Sequence, residues 1–348
     1  MEWRDPYNSF NSYKGLLYRA QFDGMISGEF LPPVEVNIDP CNNCNIHCIW
    51  CNSKDIIDRK DKCVMTRKHL LDLVYMCKRW GVKAICYAGG GEPTMCPDLA
   101  EAMTLTKDMG MDVALITNGL FTSTAQIEEI AKAARWIGVS VDAGDMGTYA
   151  KLKGANRMDD VTSSIAQLVV RGAREVTYKY LVHPLNQGQI YLACMTAKNL
   201  GCHGFHLRLM SERYLNGETY NYDVINGQID ACYEQLDDDK FKVYAIRHKQ
   251  DGKGNRRINF KECKASPLLC MLEANGDVNL CIDRKGDGRL KLCSHNVPGD
   301  VIKAWGSGYH KKLLERVCPE SDCPKCTMTI YQELLNAYKD DKFCVNFP

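Results

Sequence analysis

Between residues 44 and 51 the chain carries three thiols in the pattern Cys44-x3-Cys48-x2-Cys51. Three thiolates on one short loop can hold three irons of a [4Fe–4S] cluster and leave the fourth iron open to an outside ligand. Cys41 adds a rival Cys41-x2-Cys44 pair with the spacing of a zinc knuckle, so both metals stay open at this level. A second group, Gly89-Gly90-Gly91-Glu92-Pro93-Thr94, follows. Bare glycine backbone lets a ligand approach closely, and Glu92 offers a negative charge to an ammonium. A simple turn is the competing reading. The third group is Cys263-x12-Gly276-x4-Cys281 followed by Cys323-x2-Cys326, four thiols that suit an iron–sulfur cluster or structural zinc.

Alternating elements position these groups. Val34–Asp39 reads as a strand leading into the first cysteine loop, and Lys83–Gly89 as a strand leading into the glycine run. Asp112–Gly119, Trp136–Gly144, Arg174–His183 and Gly204–Leu209 are further strands. Helical spacing separates them: Leu70, Leu71, Val74 and Cys77 share one face after Thr66 as N-cap, and Ile127, Ile130, Ala131 and Ala134 share another after a Ser123-x-x-Gln126 capping box. Six strand–helix units in a row require a parallel sheet with right-handed crossovers, in which chemistry gathers at the C-terminal strand ends. A doubly wound sheet and a partial (β/α) barrel both satisfy the pattern. After about residue 240 the texture changes. Asn275-Gly276 between Leu268–Ala274 and Val278–Asp283 signals a hairpin, and eight of the 19 cysteines lie beyond residue 260.

The 348 residues are 45% hydrophobic and 25% charged with a net charge of +1, which fits a folded globular chain and gives no basic excess for nucleic acid. No apolar run is long enough to span a membrane and no secretory h-region opens the sequence, so grouped cysteines are read as metal or redox ligands in a reducing cytoplasm.

The CxxxCxxC loop after strand one and the Gly-Gly-Glu segment after strand two resemble the radical S-adenosylmethionine (SAM) superfamily over residues from about 34 to 237. The resemblance implies an α/β fold, a partial (β/α)6 TIM-like barrel at 34–237, preceded by an N-terminal extension at 1–33. It implies that Cys44, Cys48 and Cys51 bind the [4Fe–4S] cluster whose open iron is chelated by SAM. Gly90, Gly91 and Glu92 would contact the SAM amino group, backbone near Trp50 its adenine, and Ser140 its ribose or carboxylate. Lys153 sits where many relatives carry a carboxylate-binding Arg or Lys, with a solvated lysine as the competing reading. Asn118 in Thr117-Asn118-Gly119 is a common third-strand feature, though the tripeptide is also a good turn. Residues 238–348 look like a twitch or SPASM extension, a cysteine-rich α+β module in which Cys263, Cys281, Cys323 and Cys326 would hold one auxiliary [4Fe–4S] cluster. Cys270, Cys293, Cys318 and Cys344 could replace one of these ligands or support a second auxiliary cluster.

By the same resemblance an external donor such as flavodoxin or ferredoxin supplies an electron. The 5′-deoxyadenosyl radical released from SAM then abstracts hydrogen from a small polar substrate of carbohydrate, aminocyclitol or nucleoside type. Epimerisation or dehydrogenation follows, and a Cys270 thiol facing the barrel mouth is the expected hydrogen donor for the former. Asp142, Lys179, His183 and Arg208 fall where substrate contacts gather, with sheet-end salt bridges as the alternative. Peptide modification (thioether crosslinking or peptidyl epimerisation) is the enzymatic alternative, and a zinc-stabilised binding module the non-catalytic one.

Overall fold

The computed structural model describes residues 12–58, 62–210, 215, 217–246 and 258–339. Ten strands form one sheet: β1 (Glu35–Ile38), β2 (Ala84–Tyr87), β3 (Asp112–Thr117), β4 (Trp136–Ser140), β5 (Val176–Val182), β6 (Gly204–Leu209), β7 (Lys242–Ala245), β8 (Leu269–Leu272), β9 (Asp277–Asn279) and β10 (Lys291–Ser294). Their order is β10-β9-β8-β1-β2-β3-β4-β5-β6-β7, with every pair from β8 through β1 to β7 parallel. Among the described residues the two ends of this order do not pair, and the parallel strands make a partial barrel.

Each crossover is closed by a helix of the expected kind. Arg67–Trp80 starts where the Thr66 hydroxyl accepts from the His69 amide (3.4 Å) and buries Leu70, Leu73, Val74, Met76 and Cys77 against the sheet. Thr124–Ala133 starts where the Ser123 hydroxyl accepts from the Gln126 amide. The return arm of that box differs from the reciprocal form: Gln126 Oε1 accepts from the Thr122 amide, one residue earlier, at 3.0 Å. Helices cover the outer face of strands such as Val176–Val182, where Val176, Tyr178, Tyr180 and Val182 are buried.

Two features exceed the sequence reading. A seventh parallel strand, β7, follows β6 at the far edge, beyond the six expected units. The C-terminal hairpin does not stand apart from the barrel: β8 pairs in parallel with β1, Val36 opposite Cys270 and Ile38 opposite Leu272, and β9 and β10 continue the sheet antiparallel. The expected hairpin is present, with its turn at Asn275-Gly276. The described residues before β1 contact the barrel and the C-terminal segment. Lys14 sits in the field of Glu35, Asp112 and Glu175, at the N-terminal ends of three strands, and Phe22 meets Tyr331 of the helix Thr329–Lys339 at 6.2 Å between ring centroids. Trp305 donates from Nε1 to the Leu31 carbonyl (2.9 Å) and stands edge-on to Trp80. Among the described residues no helix is long and apolar enough to cross a membrane.

Candidate active site

The first cysteine loop is held by backbone on both sides. On one side the amides of His47 and Ile49 donate to the carbonyls of Lys153 and Leu152 (3.0 Å each), at the end of the helix Met146–Lys153. Gly154 permits this docking: it lies in the left-handed region (φ 64°), and a Cβ there would stand 2.7 Å from the His47 carbonyl oxygen. On the other side Gly91 donates to the Cys41 carbonyl (3.2 Å) and Glu92 to the Asn43 carbonyl (2.6 Å). A Cβ on Gly91 would collide with the Asn43 carbonyl, so the glycine run is what lets the two loops interlock.

Cys44, Cys48 and Cys51 are half-buried and electrostatically coupled: Cys44 lies in the field of Cys48 and Cys51, and Cys48 in that of Cys51. Burial pushes the Cys44 thiol up to about 11 and raises Cys48 and Cys51 as well, so a metal arriving here must displace protons. Cys41 stands outside the trio. It is fully buried and its thiol donates to the Glu92 carbonyl at 3.1 Å, so the zinc-knuckle pairing of Cys41 with Cys44 does not form. Among the described residues no three His, Cys, Asp or Glu side chains converge as ligands of a single ion. A four-iron cube anchors each thiolate on a separate iron, and three grouped thiols without a fourth fit that group.

Glu92 is buried, and its carboxylate accepts from four donors of its own chain. These are the Thr94 amide (3.1 Å) and hydroxyl (2.8 Å), the Thr117 hydroxyl (2.6 Å) and the Asn118 amide (2.7 Å). Desolvation raises its pKa and these bonds oppose the shift. Glu92 thus ties the glycine run to the end of β3. Asn118 extends the tie, donating from Nδ2 to Asn45 Oδ1 (2.7 Å) in the cysteine loop. Gly90 packs beside Ile56 and Asp39, and Ser140 is half-buried at the end of β4.

Lys153 is buried and forms an ion pair with Asp142 beside Cys48. Burial alone would lower its ammonium, but Asp142 and Cys48 outweigh that and hold it above the usual lysine value. The solvated-lysine reading therefore fails, and for Asp142 the salt-bridge alternative holds, with Lys153 as its partner. Asp142 carries the one positive φ (63°) of any described non-glycine residue, a strained geometry fixed by the Asn186 side chain, which donates to its carbonyl (2.7 Å). Trp50 is buried against His183, 5.2 Å between ring centroids, so both lie at the β5 end.

The second set of thiols also assembles. Cys263 lies in the field of Cys326 and Cys323, and Cys281 in that of Cys263 and Cys326. Burial pushes Cys263 and Cys326 up to about 12. Asp283 holds the Cys323–Cys326 loop by accepting from the Thr327 amide (2.5 Å) and hydroxyl (2.9 Å) and pairing with Lys325 (3.2 Å). Cys270 departs from expectation. It is fully buried beside Cys77 and Cys293 and shares the face of Val36, turned toward the helix Arg67–Trp80, because parallel pairing with β1 puts only Leu269 and Met271 on the other face. It therefore does not face the barrel mouth. Cys293 lies on β10, Cys318 heads the short helix Pro319–Asp322, and Cys344 lies outside the described residues.

The register exposes what periodicity alone hid. Asn37 pairs with Cys86, Cys86 with Ala114, Ser140 with Lys179, and Lys179 with His206, so these side chains share the inner, lumen face of the barrel. Cys86 is thus a lumen thiol. At the rim, Lys285 from the C-terminal module reaches Asp39 (3.3 Å) and donates to the Gly89 carbonyl (3.0 Å), a clamp with no sequence signal beyond the acidic residue ending the first strand.

A partial parallel barrel with a three-thiol loop after its first strand, interlocked with a glycine run after its second, defines a class of iron–sulfur enzyme fold. The sequence model of the Radical SAM superfamily matches residues 38–191, and the chain carries a Radical SAM domain. This domain uses a [4Fe–4S] cluster and SAM, and the C-terminal cysteine-rich region fits an auxiliary-cluster module. A protein of Saccharolobus islandicus described as a probable GTP 3′,8-cyclase is 27% identical over 178 residues, 51% of this chain and 56% of that protein. A counterpart from Sulfurisphaera tokodaii is 21% identical over 252 residues, covering 70% and 79%. This chain thus spans about half the length of the first of these relatives. Among solved structures, Streptococcus suis SuiB bound to S-adenosylmethionine superposes with a TM-score of 0.68 at 16% identity, covering 94% of this chain and 80% of that one. Native anSMEcpe with bound AdoMet gives 0.61 at 15%, covering 88% and 99%. At these identities the likeness shows the shared fold.

Proposed function

We propose that the chain is a two-cluster radical SAM enzyme that oxidises or epimerises a small polar substrate held in the barrel lumen. The observation that carries this reading is the lumen face itself. Cys86, Lys179 and Arg208 line it, and Lys179 and Arg208 lie in the field of Lys325, between Cys323 and Cys326 of the second thiol set. When bound, the first cluster and SAM supply a 5′-deoxyadenosyl radical for hydrogen abstraction, and an auxiliary cluster supplies a one-electron sink.

The chain's own residues bind and aim. Cys44, Cys48 and Cys51 would hold the first cluster, and Gly90, Gly91, Ser140 and the backbone near Trp50 would frame SAM. Glu92, Asn118 and Lys153 act as positioning residues that fix the loops through the bonds described above. Cys263, Cys281, Cys323 and Cys326 would hold the auxiliary cluster at the lumen rim. Among the described residues before β1, Lys14 lies in the field of Glu35, Asp112 and Glu175 at the N-terminal strand ends, which supports a small enclosed substrate over a peptide. The nucleotide chemistry named for the GTP 3′,8-cyclase relatives supports a nucleoside-type member of that class. SuiB is described with its precursor peptide, but at 17% identity that likeness speaks for fold. Dehydrogenation needs no thiol donor. Epimerisation needs one, and with Cys270 turned away, Cys86 is the lumen thiol placed for it.

Anaerobically reconstituted protein tests the reading. It should hold about seven to eight irons and, with dithionite and SAM, release 5′-deoxyadenosine. Colourless protein with stoichiometric zinc and no deoxyadenosine would overturn it. Deuterium entering product from deuterated water, lost in Cys86→Ala, selects epimerisation; product without deuterium selects dehydrogenation.

A further inference from the structure

Lys179 is 9% exposed, and Leu181, two residues on along the same face of β5, pairs with Arg208. The two cations thus point into one lumen. The Lys179 ammonium lies over the Trp136 ring, 5.8 Å from its centroid. Among the described residues neither Lys179 nor Arg208 makes a side-chain hydrogen bond or an ion pair. The carboxylate in the field of Lys179 is already taken, Asp142 pairing with Lys153, and Asp283 beside Lys325 is paired with that lysine. Lys325 adds a third cation in the field of both. Burial and the neighbouring Arg208 hold the Lys179 ammonium down to about 7, the direction expected where positive charge lacks a counter-ion.

Buried charge left unpaired is costly, and a site that concentrates it is complementary to an anion. The guanidinium fork of Arg208 matches the two-oxygen edge of a carboxylate or phosphate, while a lysine acts as a point charge beside it. We propose that Lys179 and Arg208, with Lys325 at the rim, bind an oxyanion group of the substrate, a carboxylate or a phosphate, inside the barrel. This deepens the reading given above and rests on the lumen being the substrate site.

Calorimetric titration of the anaerobically reconstituted full chain tests it, with inorganic phosphate in one arm and malonate in the other, at low ionic strength. One anion should bind, identifying the source of the oxyanion. Its affinity should fall at least about tenfold in Lys179→Met and in Arg208→Gln. Wild-type protein that binds neither anion, or variants that bind as wild type does, would overturn the proposal. Thermal unfolding in anion-free buffer gives a second readout: Lys179→Met should melt a few degrees higher, because an uncompensated cation is gone. A lower melting temperature would mean that Lys179 already has its counter-charge, and would also overturn it. Deoxyadenosine release by the wild-type preparation is read separately. Its absence removes the enzyme reading, whereas its presence without anion binding removes only this inference.

Discussion

The two thiol groups reach similar chemistry by opposite routes. Cys44, Cys48 and Cys51 come from one segment eight residues long, pinned by backbone bonds from His47 and Ile49 to Lys153 and Leu152 and, just before it, from Gly91 and Glu92 to Cys41 and Asn43. Cys263, Cys281, Cys323 and Cys326 come from separate segments, gathered by the hairpin β8–β9 and by the Asp283 contacts to Thr327 and Lys325. A local loop can be positioned by the barrel alone and offers three donors. A dispersed set needs a folded module and, under the proposed assignment, would supply four donors and leave no position on its cluster open. On the proposed assignment the difference teaches that the first site would keep room to bind something further, whereas the second would be complete.

Removing a donor separates them most sharply. Cys44→Ala should abolish deoxyadenosine release, measured by chromatography after reduction with SAM present. Cys323→Ala should lose about four irons while the electron paramagnetic resonance signal of the first cluster persists; loss of both clusters would show that the two groups are not independent. Next in size is the clamp joining them. Lys285→Met leaves Asp39 buried without its partner and should cost about 3–5 kcal/mol in chemical denaturation. Gly91→Ala forces a methyl group into the Asn43 carbonyl, and overpacking of this kind costs about 1–3 kcal/mol. Its effect should fall on the iron content of the first centre and spare the second. The smallest effect is a pH trend. Lys179 titrates near 7 in the fold against an ordinary 10.5, so between those values the unfolded chain holds a proton that the native one lacks. Stability from this residue therefore rises with pH across that window. The advantage of Lys179→Met over wild type, largest below pH 7, should shrink as pH rises toward 10, and a constant difference would refute it. Arg208, Lys325, Asp142 and Cys86 share the field of Lys179, so the comparison is made between variants and not on the wild-type curve alone.

Legibility in the sequence follows the same division. The six strands and their capped helices were readable because apolar spacing and Thr66 and Ser123 act locally. The first cysteine loop was readable for that reason too. Cys270 was misplaced because which face a strand residue occupies depends on its pairing register, and parallel pairing of β8 with β1 leaves no local mark. The Asp39–Lys285 clamp is hidden likewise, because it joins charges that come together only once the chain has closed on itself, whereas Asp142 and Lys153 are close in sequence and their pairing depends on how the helix Met146–Lys153 folds back on the end of β4.

That pairing of β8 with β1 also bears on how the molecule is made. The first strand of the barrel is completed on its outer side by residues 269–272, more than two hundred positions later. During synthesis the nascent barrel therefore presents an uncovered backbone edge until nearly four-fifths of the chain has left the ribosome, a state prone to edge-to-edge association. Truncation after the barrel should give aggregates instead of a smaller enzyme, because the tail supplies a wall of the room it encloses.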